Sequence, residues 1–173
     1  MVRKVDMTGY QIKSAGFTLI ELMVVVVIVA IFAAIAIPSY GVYVARVHKS
    51  KAQSEMLKVA ERLENYKGKQ LSYAGYIPEH QTSTKGEINI PYDSSTNYDY
   101  QIQIVDINDS TKALEDSTIG QGWKMIATPN QTKGNALRNS ESLLLDSRGV
   151  KCMTKDSLAL SSTSCGANTK EWR

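Results

Sequence analysis

Two histidines, two cysteines, four prolines and two phenylalanines are all that 173 residues carry of these types. His48 and His80 stand isolated, and no further donors accompany them at metal-ligand spacing, so no metal set can be assembled from sequence. No phosphate-cradling glycine loop occurs. Serine and threonine are plentiful, but none sits in a nucleophile elbow, and neither histidine lies near a recognisable partner. A dense run of one charge is missing as well. Beyond residue 37 the chain holds 17 Lys and Arg against 15 Asp and Glu, a balance unlike the basic run of a nucleic-acid module. These absences leave no catalytic residue, cofactor or metal site to nominate, and nothing on which an enzyme reading stands.

What the chain does have is one long apolar run. A basic leader with Arg3, Lys4 and Lys13 leads to Gly16, then Phe17-Thr18-Leu19-Ile20-Glu21, then near-unbroken oil from Leu22 to Ile37. As a helix at ~1.5 Å per residue, the roughly 21 residues from Phe17 to Ile37 span about 30 Å, one hydrocarbon core. Val24 to Val29 and Ile31 are β-branched and weaken a helix in water, but in lipid the backbone has no other way to satisfy its hydrogen bonds. One acid inside such a helix costs roughly 2.5 kcal/mol or more at mid-bilayer, so Glu21 calls for a partner. A secretory signal with Ala34-Ile35-Ala36 as its cleavage site is the competing reading. Glu21 at the head of the run, Pro38 and the helical pattern beyond it argue against that, and a plain anchor has no need of Gly-Phe-Thr-Leu-Ile-Glu.

This order of charge, Gly, Phe, acid and oil resembles the class III signal of type IV prepilins. The resemblance implies cleavage after Gly16 by a prepilin peptidase and N-methylation of the new terminus, Phe17. Cutting there leaves an α-amine four residues from Glu21. If subunits stack with an axial offset, Glu21 meets the neighbour's amine and fixes assembly register, a use for which buried ion pairs are suited. The leader is long for this class, and Met7 offers an alternative start.

Beyond residue 37 the pattern remains helical. Pro38 removes a backbone donor and should kink the helix, and Tyr40 and Tyr43 suit a membrane interface. Val44, Val47, Ala52, Met56, Val59, Leu63 and Tyr66 then recur at helical spacing, with charges on much of the other side. Glu55 with Lys58 and Glu64 with Lys67 are expected i,i+3 pairs, and Gly68 is the expected stop. Residues 69 to 97 look irregular, punctuated by Gly75, Pro78, Gly86, Pro91 and the run from Asp93 to Asn97. Strands are expected over 98–107, over 123–128 with a stop at Pro129, and over 143–145. The last turns through Asp146-Ser147-Arg148-Gly149 into Val150-Lys151-Cys152 as a hairpin. Asp106, Asn108 and Asp109 have calcium-ligand chemistry, but a polar turn is the simpler account. The expected architecture is α+β, with an antiparallel sheet laid on the amphipathic half of the helix.

That architecture again resembles the type IV pilin fold. Gly122-Trp123, Ala127, Pro129, Gln131, Leu143-Leu144-Leu145-Asp146-Ser147 and Gly149 are similar to minor pilins of the PilE type. Both cysteines fall after the Leu143–Leu145 strand, unlike that pattern, so the family's disulfide topology does not transfer. In an exported chain Cys152 and Cys165 are expected to pair with each other and clasp a serine-rich tail. The implied organisation is a leader over 1–16, a membrane or fibre-core helix half over 17–43, and a globular domain over 44–173. The implied function is a structural subunit of a type IV pilus, of minor type, serving pilus assembly, twitching motility, adhesion or DNA uptake. A major pilin and a pseudopilin of a type II secretion system are the alternatives. A tip adhesin or DNA-capturing module would need an exposed basic or aromatic patch that balanced charge does not advertise. Expected partners are other pilin subunits in a helical fibre, the prepilin peptidase and methyltransferase, inner-membrane assembly machinery, and lipid before assembly; nucleic acid is not expected. The chain would reside in the inner membrane with its globular domain in the periplasm, then in the extracellular fibre.

Overall fold

A computed structural model describes residues 16–172 apart from residue 93. Arg3, Lys4, Lys13, Met7 and Asp93 therefore lie outside the described residues. The chain divides into two compact units, the first ending at Pro38 and the second running from Ser39. Helix α1 (Leu19–Gln70) enters both and is continuous through Pro38. Its first part is long and apolar enough to cross a membrane, with a mean hydropathy of 3.1 over an 18-residue window that buries none of its surface.

In the second unit α1 buries a narrow seam of Ala45, Ala52, Met56, Val59 and Leu63. The spacing of seven, four, three and four is that of one helical face. Val47, expected in this stripe, is exposed instead, and half-buried His48 and Lys49 flank the line it was meant to occupy. The helix also outruns Gly68 and ends when Leu71, whose N–H donates to the Lys67 carbonyl at 2.7 Å, turns into the left-handed region at φ 61°. Lys58 pairs with Glu55 at 3.3 Å as expected. Glu64 does not pair with Lys67, because its carboxylate is engaged by Tyr73 and Trp123.

The sheet is a six-stranded antiparallel meander: β1 (Glu87–Ile90), β2 (Tyr100–Asp106), β3 (Trp123–Pro129), β4 (Ser142–Asp146), β5 (Lys151–Thr154) and β6 (Lys170–Glu171), each paired with the next. Four of the six match the expected strands. β1 is hidden in sequence between Gly86 and Pro91, and it becomes a strand because Ile88 pairs opposite Ile102. Pro129 ends β3 from within, opposite Tyr100. β6 is two polar residues, held on β5 with the help of Trp172, whose indole N–H donates to the Cys152 carbonyl at 2.7 Å.

Alternation along the strands sorts the sheet into two buried faces. Ile88, Tyr100, Ile102, Ile104, Trp123, Met125, Ala127, Leu143, Leu145 and Met153 join the α1 seam in the main core. The opposite face carries Ile126, Leu144 and Cys152 side by side in register, and these pack with Cys165. Leu158 and Leu160 of the C-terminal loop cover them, so that loop has more apolar holding than its serine content suggests. The Cys152–Cys165 disulfide clasps this cover. Lys124, almost fully buried on this face, donates to the Ser162 carbonyl at 3.1 Å, and loss of solvation pushes its pKa down.

Closing a loop of 13 residues' separation removes unfolded-chain entropy of about 3 kcal/mol. Cys152→Ser and Cys165→Ser are therefore expected to lower stability by similar amounts, with the double variant no worse than either single one. Denaturant unfolding of the oxidised protein measures this, and additive losses would show that the cysteines act separately.

Candidate functional site: the helix start and the surfaces of the globular unit

Gly16 and Phe17 precede α1 in non-helical backbone and are exposed. A methyl group added at Gly16 would meet nothing within 4 Å, so packing does not demand glycine there. Thr18 stands just before the first helical residue. Its side-chain oxygen accepts the Glu21 N–H at 3.3 Å, and its carbonyl accepts the Leu22 N–H at the same distance. Thr-x-x-Glu is the sequence form of a helix N-terminal capping box, and an acid in the first turn also favours the helix dipole. Glu21 thus has a local role in starting the helix. Its carboxylate is exposed among apolar neighbours and makes no ion pair among the described residues.

The expected site residues do not converge. Gly16, Phe17 and Glu21 belong to the first unit with Pro38 at its end, whereas Cys152 and Cys165 hold the C-terminal cover of the second. Asp106 and Asp109 are used within their own loop. Asp106 accepts the Asn108 N–H at 2.8 Å and the Ser117 hydroxyl, while Asp109 takes the Thr111 N–H and hydroxyl and lies 3.4 Å from Lys112. Among the described residues no three His, Cys, Asp or Glu side chains gather as a metal set.

Sequence reasoning missed the polar ties that fix α1 to the rest of its unit. One Glu64 oxygen accepts the Tyr73 hydroxyl at 2.7 Å and the Trp123 indole N–H at 3.2 Å, linking helix, following loop and β3. Lys49 reaches Glu141 at 3.1 Å, and Lys170 approaches the other oxygen of the same carboxylate at 3.7 Å. His48 Nδ1 lies 2.8 Å from Asp99, which Lys133 also approaches at 3.4 Å. Apart from Tyr73 to Glu64, nine residues apart, each tie spans tens of residues, so helical or strand periodicity carries no trace of it. The one available signal was a charged residue lying on the apolar side of the helical wheel, as Lys49 does.

Burial first, and then the Glu64 carboxylate, push the Tyr73 pKa up to about 12. A raised folded-state pKa means that the folded chain holds this proton more tightly than the unfolded one, where tyrosine titrates near ~10. The contribution is intact below pH ~10 and is lost as pH rises toward about 12. Melting temperature is expected to fall across that window, with Tyr73→Phe removing up to about 2 kcal/mol of the dependence. Equal alkaline slopes for parent and variant would contradict the tie.

The prokaryotic N-terminal methylation motif matches residues 12–37, and the family described as type IV minor pilin ComP, DNA uptake sequence receptor, matches residues 38–137. A fimbrial protein of Pseudomonas aeruginosa is 36% identical over 131 residues, 72% of this chain and 74% of its own length. A fimbrial protein of Dichelobacter nodosus is 35% identical over 116 residues, 62% of this chain and 68% of its own. The type IV major fimbrial protein FimA of D. nodosus is 62% identical over 40 residues, 23% of this chain and 26% of its own. No solved structure gives a significant match. These families describe structural pilins and not enzymes. An apolar N-terminal helix, an antiparallel sheet on its second half and matches covering most of the length converge on one assignment: the chain belongs to the type IV pilin family, in its minor-pilin type, and is a structural subunit of a type IV pilus.

Proposed function

We propose that this subunit matures by cleavage between Gly16 and Phe17, that Phe17 is N-methylated, and that Glu21 sets its register against the amine of a neighbouring subunit. The observation that carries this reading is the lone carboxylate of Glu21 on an otherwise apolar helix, in the first turn after a non-helical Gly-Phe. Residues 17–43 serve first in the inner membrane and later in the fibre core, and Pro38 kinks the helix within them. Residues 44–173 form the domain that faces the periplasm and then the fibre surface. The prepilin peptidase and methyltransferase and the inner-membrane assembly machinery are its transient partners.

A second reading adds nucleic acid to the partners. It is favoured by the match of residues 38–137 to a family described as a DNA uptake sequence receptor, against the balanced charge that spoke for no such role. Electrophoretic mobility shift with duplex DNA at several salt concentrations separates the two. A sequence-specific shift supports a receptor role, and none at low salt excludes it.

Gly16→Val, at a position where an added Cβ meets nothing within 4 Å, is expected to leave an uncut, membrane-held precursor. Intact mass of the protein from sheared fibres should begin at a methylated Phe17, and residues ahead of 17 in that material would refute the cleavage assignment.

Glu21→Val makes the membrane helix more apolar and leaves the cleavage position untouched. Processing and insertion are expected to persist while recovery in sheared fibres drops about tenfold or more, the scale of losing one charged pairing of about 1.4 kcal/mol. Recovery at the parent's level would end the register proposal.

A further inference from the structure

Leu71 is poorly suited to its position in two independent respects. It takes φ 61° directly after α1, a conformation that glycine or asparagine adopts with less strain than a residue with a large side chain. Its side chain is also 88% exposed, so packing among the described residues does little to offset that strain. Ending the helix does not require leucine, because the bond to the Lys67 carbonyl is made by the backbone. Backbone strain of this kind persists where something else favours the residue.

Ile119, 66% exposed, is fastened beside it. The Ser72 hydroxyl donates to the Ile119 carbonyl at 2.8 Å, and the Tyr73 N–H donates to the Gly120 carbonyl at 2.9 Å. Gly120, at φ 55°, lets the two segments touch: a Cβ there would stand 2.1 Å from the Ala74 nitrogen. The apolar pair is therefore presented on a fixed mount. Three cations lie close to it along the chain or across the neighbouring cleft: Lys67 and Lys69 precede Leu71 by four and two residues, and Arg148 shares a cleft with Gln121, two residues past Ile119. Lys67, Lys69 and Arg148 have no carboxylate partner among the described residues, and Lys67 and Arg148 line one cleft of about 270 Å³ with Gln121.

We propose that Leu71 and Ile119 form a docking knob that seats in an apolar socket, rimmed by carboxylates, on a different pilin subunit of the fibre. Charge selects the occupant. Lys67, Lys69 and Arg148 call for acids at the rim, and the apolar pair calls for a partner that removes it from water. A polyphosphate backbone meets the first demand and leaves Leu71 and Ile119 solvated. The apolar groove of a second copy along Tyr43, Val47 and Ser54 is not that socket, because it is edged by Arg46 and Lys51, of the same sign as the knob. The inference rests on the chain's membership of a fibre and adds which face it uses and for what kind of neighbour.

The test uses the full-length protein expressed in its own cells in place of the parent. Leu71→Gly is the informative variant, since glycine relieves the backbone strain and removes the knob. Its melting temperature in detergent is expected to equal or exceed the parent's, while its amount in sheared fibres, relative to the main fibre protein, falls about fivefold or more, as for loss of an interface anchor. Lys69→Glu and Ile119→Ser are expected to reduce fibre content in the same direction. Parent-level content of Leu71→Gly overturns the proposal, as does a lowered melting temperature, which would make Leu71 a packing residue. Unchanged fibre content with reduced DNA retention would assign the face to nucleic acid and overturn it too. If the parent itself is missing from sheared fibres, fibre membership fails and the docking knob fails with it; a variant lost while the parent is present tests the knob alone.

Discussion

Burial of the Ala45–Leu63 seam of α1 against one face of the sheet is the contact on which the second unit depends. A helix of this length in water needs tertiary packing more than propensity. The seam supplies it with small residues toward its N-terminal end, Ala45 and Ala52, and larger ones, Met56, Val59 and Leu63, toward the C-terminal end. Each large side chain contributes about 1.5–3 kcal/mol on burial. The polar ties through Glu64, Glu141 and Asp99 lie around this core and orient the helix on the sheet, a task that non-directional apolar contact performs poorly.

The same helix has a different solvent in each part. From Leu19 toward Pro38 its side chains are apolar all round and exposed, the pattern of a segment whose partner is lipid or other helices. From Ser39 onward one face is buried, and the exposed remainder mixes charged residues with apolar ones such as Tyr43, Val47 and Leu57. Thr18 and Glu21 sit at the head of the first part. Their local bond helps start the helix and leaves the Glu21 carboxylate free for a charge from outside the described residues. The chemistry of the chain is consequently that of assembly, with contacts between subunits as its product.

A six-stranded sheet buried on one face by a single helix would leave its other face wet. Here the second face is short, Ile126, Leu144 and Cys152, and is covered by Leu158 and Leu160 under the disulfide. The cover is light and needs its covalent clasp. Elsewhere in the unit Leu71 and Ile119 are apolar and largely exposed among the described residues. The two apolar groups therefore differ in kind: one is closed within the chain, and the other stands exposed.

The sequence by itself determined the elements whose cause is local. A membrane-length apolar run, the Gly-Phe-Thr-Leu-Ile-Glu start, a 3.6-residue stripe over Ala52 to Leu63, the alternating strand over 98–107, three short strands bounded by turns and the Asp146–Gly149 turn all follow from periodicity or turn chemistry. Tertiary structure alone decided what depends on distant partners. Ile88 makes β1 a strand because Ile102 lies opposite, and Glu64 abandons Lys67 because Tyr73 and Trp123 reach it first. Val47 falls outside the seam because the sheet meets the helix along Ala45 and Ala52. The helix stops at Leu71 and not at Gly68, since the loop bonded to Ile119 and Gly120 redirects the chain there. Local pattern records the solvent a residue prefers; it does not record which of several distant groups arrives, and that selection is made by the packing of the whole unit.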